Sequence, residues 1–135
     1  MITEIIERWE KRKGKLEEYF RTTRQEEYDS YEKIVGLIID IILNDHSHKK
    51  YSNKITVIDD GDYQGTEIFI VHEKTYQPSV DEYIYTSNYY GSCSGCDTLQ
   101  AIHNYSDGLP NEQQVKDYMM LSLHLIQNFR KMEQN

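Results

Sequence analysis

Residues 54–73 read KITVIDDGDYQGTEIFIVHE, and this stretch sets the fold class. KITVID alternates apolar with polar, DGDYQG breaks the pattern with glycine and aspartate, and TEIFIVHE returns as a β-branched run. Ile55 and Val57 share one face of the outgoing run, and Ile68 and Ile70 share one face of the return. The spacing predicts a β-hairpin closed by a Gly- and Asp-rich turn. Farther on, EYIYTSNYY (82–90) is rich in aromatic and β-branched residues and reads as a third strand. The loop KTYQPSVD, punctuated by Pro78, separates the two.

Helical signals lie on both sides of these strands. Upstream, Ile2, Ile5, Ile6, Trp9, Leu16, Tyr19 and Phe20 fall on one helical face. RTTRQEEYDS contains a break, and a second helix is expected from about Glu26 to Leu43. Its KIVGLIIDIIL portion is apolar nearly all round, as a buried central helix would be. NDHSHKKYSNK reads as a loop in which His46 and His48 are solvated. Downstream, Asp97 with Gln100, and Asn111 with Gln114, are helix-capping pairs. They open a short helix ended by SDG and a long helix running to about Met132. That long helix carries Val115, Tyr118, Met119, Ser122, Leu125, Ile126 and Phe129 along one stripe. The expectation is an α+β domain: a small three-stranded antiparallel sheet packed against N-terminal and C-terminal helices. Residues 1–135 form one domain, with a helical part over 1–45, the hairpin and third strand over 54–90, and the C-terminal helices over 97–133.

The chain carries a net charge of −8, and residues 55–117 hold only Lys74 and Lys116 against eleven carboxylates. Seven of the twelve tyrosines lie in that window. Such a surface repels phosphate backbones, so no direct nucleic-acid binding is expected. No apolar run reaches the roughly 18 residues of a membrane span. The charged N-terminus does not resemble a secretory signal, so the expected compartment is cytoplasmic, with both cysteines reduced.

Those cysteines sit in YYGSCSGCDTLQAI (89–102) and admit three readings. Cys93 and Cys96 are half of a zinc pattern, with His103 as a third ligand and His72 as a fourth. Alternatively, Cys96 stands before a helix start that would lower its thiol pKa, although the adjacent Asp97 opposes thiolate formation. Third, a tight strand-to-helix connection needs small residues such as these, and buried cysteines pack as small hydrophobes. This packing reading is favoured, and no cofactor is expected. Asp59, Asp60 and Asp62 lack the spacing of a calcium loop and read as turn residues. If Tyr63 and Gln64 project toward the cysteine loop, then Tyr63, Gln64, Cys93, Cys96 and Asp97 form one cluster.

ITVIDDGDYQGTEIFIV, TYQPSVDEYIYT, YYGSCSGCDTLQAI and GLPNEQQVKDYM together resemble a family of small phage and prophage proteins of Gram-positive bacteria for which no activity is assigned. The resemblance covers roughly residues 28–130 and implies a phage-encoded accessory protein inside a host cell. Such proteins include inhibitors of host defence of the anti-CRISPR type. It therefore implies a host-protein partner, such as the basic groove of a nuclease. The residues expected to meet it are the acidic and aromatic set Asp59, Asp60, Asp62, Tyr63, Glu67, Asp81, Glu82, Tyr89 and Tyr90. The alternative is a small enzyme or a ligand- or metal-binding protein acting at Gln64, Cys93, Cys96 and Asp97. Binding is favoured over catalysis because no complete catalytic constellation is legible. The oligomeric state is not encoded in any recognisable pattern.

Overall fold

The computed structural model describes residues 2–44, 47, 49–61, 64–92, 97–104 and 107–132. Helix α1 spans Ile2–Thr22, and its buried face is Ile5, Trp9, Leu16 and Phe20. Ile6, expected on that face, is exposed, and Tyr19 packs at the core margin. A 3₁₀ turn follows at Gln25–Tyr28, and α2 starts only at Tyr31. The second helix is thus shorter than expected. Ser30, in extended backbone, accepts the Lys33 N–H and caps a fresh start, so the chain bends at Asp29–Ser30.

Helix α2 (Tyr31–Leu37) continues into a π-helical segment, Ile38–Leu43, shown by the Asn44 N–H donating to the Ile39 carbonyl at 2.9 Å. The wider turn gathers Ile38, Ile39, Ile42 and Leu43 toward the buried side and leaves Asp40 outside. Helix α1 packs chiefly on this segment and on α4.

The sheet has four antiparallel strands in the order β1 (Thr56–Asp59), β2 (Gly65–His72), β3 (Tyr83–Tyr90) and β4 (Arg130–Lys131). The α+β class holds, but the expected count of three strands is short by one. Helix α4 (Glu112–Gln127) ends before the expected Met132. Beyond Asn128 the chain turns back and pairs Lys131 with Ile84 and Arg130 with Tyr85. Helix α3 (Thr98–His103) closes at Asn104, which adopts a left-handed φ of 49°. That residue, rather than the SDG sequence, stops the helix. Both capping pairs form: Asp97 accepts from Gln100 N–H, and Asn111 with Gln114 makes a reciprocal box.

Helix α4 packs against β3 on the face of the sheet that carries the core. Phe69, Val71, Ile84 and Thr86 point into the core, and the Thr86 hydroxyl donates to the Leu125 carbonyl of α4 at 2.8 Å. Their neighbours along the strands necessarily point the other way.

Candidate functional site

Two surfaces follow from this register. The first is the open face of the sheet. Thr56 pairs with Ile70, Ile58 with Ile68, Ile70 with Tyr85 and His72 with Tyr83, so these residues share the uncovered side. Alternation adds Ser87, Tyr89 and Arg130. Ile58 is 49% exposed and Tyr89 56%, whereas Ile68, Ile70, Tyr83 and Tyr85 are half-buried by one another. No strand position on this face carries a carboxylate.

The acids expected to form a binding surface lie around this face rather than on it. Asp59 and Asp60 stand at the turn end of the hairpin. Asp81 and Glu82 form a capped 3₁₀ turn just before β3, at the opposite end. Gly65 to His72 along β2 spans about 23 Å, and that separates the two acidic groups. Glu67 and Tyr90 fall on the helix-covered side, while Tyr89 falls on the open side. Gln64 is exposed in the turn. Asp62, Tyr63, Cys93 and Cys96, with His46 and His48, lie outside the described residues.

The second surface is a cavity of about 240 Å³ at the turn end of the sheet, lined among others by Tyr31, Glu67, Tyr90, Gly91, Asp97 and His103. Asp97 organises it. Only 5% exposed, it accepts from the Tyr31 hydroxyl and from Gly91 N–H, both at 2.9 Å to Oδ1, and from Gln100 N–H at 2.9 Å to Oδ2. The Tyr31 hydroxyl in turn accepts the Leu99 N–H at 3.1 Å. One carboxylate thus ties the end of β3, the start of α3 and the start of α2 together. Burial, opposed in part by the Leu99 contact, holds the Tyr31 hydroxyl well above its ordinary pKa.

The hairpin turn reaches the same corner. The Tyr90 hydroxyl donates to Asp59 Oδ1 at 2.5 Å, with the Gly61 carbonyl 2.8 Å away. This bond pushes Tyr90 up to about 12 and Asp59 below the usual carboxylate range. Gly61 and Gly65 back onto each other so closely that a Cβ on Gly61 would stand 2.0 Å from the Gln64 carbonyl oxygen. Glycine is required there by close approach. The turn and the 91–97 connection are therefore adjacent at their described ends.

Glu67 faces this corner, and its carboxyl is raised above the ordinary 4.5, first by burial and then by Asp59, Glu32 and Asp97. Such a group can donate a proton or a hydrogen bond. The corner attracts cations or hydrogen-bond donors and repels anions. His103 Nε2 lies 3.2 Å from Asp107 Oδ1 and lines the cavity. His72, offered above as a fourth metal ligand, sits at the far end of β2 with its Nδ1 2.8 Å from the Glu73 carbonyl. It lies at the opposite end of the sheet from His103, so these two histidines do not share one metal position. Among the described residues, no group of three or more His, Cys, Asp or Glu side chains gathers around a possible metal position. No described helix is long and apolar enough to cross a membrane.

Sequence reasoning identified Asp97 but missed Tyr31, whose role requires contact with a residue 66 positions away. It also missed the open face, although IFIV, apolar at both parities, is a signal for a strand with two apolar sides. Comparison with protein-family models, curated proteins and solved structures finds no match to this chain.

Proposed function

We propose that the protein acts by binding another protein through the open face of its sheet. The observation that carries this reading is an uncovered centre of three isoleucines and three tyrosines, free of carboxylates and bounded at both ends by acids. An aromatic and aliphatic centre with a charged rim has the anatomy of a protein interface. The matching partner has an apolar patch flanked by basic groups about 23 Å apart. The resemblance to phage proteins suggests a host-defence protein with a basic groove, a CRISPR-type nuclease being one such target.

Ile68→Lys and Tyr85→Lys variants test this. Both positions are half-exposed, so folding stability should change by about 1 kcal/mol or less. Capture of a partner from host lysate by the wild-type protein should be lost in both variants. Capture should also weaken with salt, and with Asp81→Lys plus Glu82→Lys. Equal capture by all variants would refute the reading.

A second reading, a small enzyme or ligand-binding protein, draws on the raised Glu67 carboxyl beside the 240 Å³ cavity. Its pH signature is definite. Because the folded pKa is raised, ionising Glu67 opposes folding, and stability falls as pH rises from about 4.5 upward. Glu67→Gln should therefore be more stable than the wild type at pH 7 and lose that advantage below pH 4.5. Urea unfolding at the two pH values checks it, and equal differences at both would contradict the shift.

A further inference from the structure

A second cavity lies beside the His72 end of β2, away from the acidic corner at the Gly65 end. It measures about 420 Å³, and among the described residues Arg12, Lys15, Lys49 and Lys74 line it with one carboxylate, Asp40. In a chain of net charge −8, four cations converging on one concavity is a local reversal of sign. They come from α1, from the 49–53 loop and from the turn after β2.

The walls are fastened by hydrogen bonds rather than by chance contact. The Asn44 side chain accepts the Tyr51 N–H at 2.9 Å and donates to the Tyr51 carbonyl at 3.0 Å, clamping the loop to the end of the π-helical segment. The Lys74 N–H donates to the Lys50 carbonyl at 2.8 Å, and Tyr51 bridges Glu73. Arg8 donates to the Leu43 carbonyl at 3.0 Å and Arg12 to the Asn44 carbonyl, so α1 holds the floor in place. Nearby charges are matched elsewhere: Lys13 with Glu10, and Lys50 with Glu73. Among the described residues, Lys15, Lys49 and Lys74 form no ion pair.

We infer that this cavity is a binding site for a compact phosphate-bearing small molecule. Like charges held together in a walled cleft focus a positive field, and an anion in the cleft relieves their repulsion. The cavity volume lies within the range of small-molecule sites, about 300–1,000 Å³. Ile41 and Tyr51 supply an apolar wall, and the Asn53 amide can orient an ester oxygen. The acidic remainder of the surface excludes a long polyanion but not a compact one. The site is independent of the open sheet face.

Pyrophosphate titrated calorimetrically into the full-length protein at low ionic strength provides the test. One saturable site is expected, about tenfold weaker in Lys49→Ala and in Lys74→Ala, and unchanged in Lys33→Ala, whose lysine pairs with Asp29 outside the cavity. Circular dichroism melts of the variants should match the wild type, since both altered side chains are at the surface. Absence of saturable heat overturns the inference, as does equal binding by the Lys49→Ala/Lys74→Ala double variant. Tighter binding of a single-stranded oligonucleotide than of pyrophosphate overturns it too.

Discussion

Phe20→Ala is expected to lower folding stability by about 4 kcal/mol. Phe20 is fully buried on α1, and its ring is the meeting point of three elements. It stacks on Tyr118 of α4 at 5.3 Å with 20° between planes, and meets Tyr28 edge-on at 5.0 Å. Tyr28 and Tyr118 complete the triangle at 5.0 Å and 88°. Truncation removes the transfer energy of a ring and leaves a void that neighbours cannot readily fill. The Tyr118 hydroxyl is held by Gln25 Oε1 at 2.6 Å, and the Tyr28 hydroxyl lies 3.2 Å from the Phe20 and Thr23 carbonyls. These bonds resist the collapse that would soften the loss. Phe20→Leu, which keeps most of the volume, should lose about 1.5 kcal/mol. Urea unfolding measures both. A loss below about 1 kcal/mol for alanine would mean that the aromatic triangle does not hold α1 to α4.

The second large effect belongs to Asp97→Ala, expected at about 3 kcal/mol. An exposed helix cap contributes about 1 kcal/mol. Here the same carboxylate also satisfies the buried Gly91 N–H and Tyr31 hydroxyl, and alanine strands both. Asp97→Asn retains one oxygen but cannot accept at both positions, so its loss should be intermediate. A double-mutant cycle with Tyr31→Phe should give a coupling energy of at least about 0.5 kcal/mol, because the two side chains share one network. If Asp97→Ala loses no more than about 1 kcal/mol, Asp97 is only a cap and the corner is organised by other contacts.

Legibility in the sequence followed the range of the interaction. The hairpin, the Asp97 and Asn111 caps and the third strand are written in residues a few positions apart, and each formed. The break at Ser30 was visible only as a polar stretch, and its position is set by the Ser30 side chain accepting the Lys33 N–H. Nothing local marks Arg130–Lys131 as a strand, since two residues gain their conformation from pairing with β3. The acidic window of 55–117 is one feature in sequence, yet it divides in space because strand geometry sends Asp59 and Asp81 to opposite ends.

Local patterns in the chain suffice for an α+β fold with an antiparallel hairpin, capped helices and an acidic, tyrosine-rich middle. Periodicity and capping act within a few residues and need no partner. Packing in three dimensions sets which apolar face of IFIV is covered, and brings Tyr31, Asp97 and Tyr90 to one corner. It alone gathered Arg12, Lys15, Lys49 and Lys74 around one cavity. Those outcomes depend on side chains brought together by strand register and helix packing, and no local pattern encodes such distances.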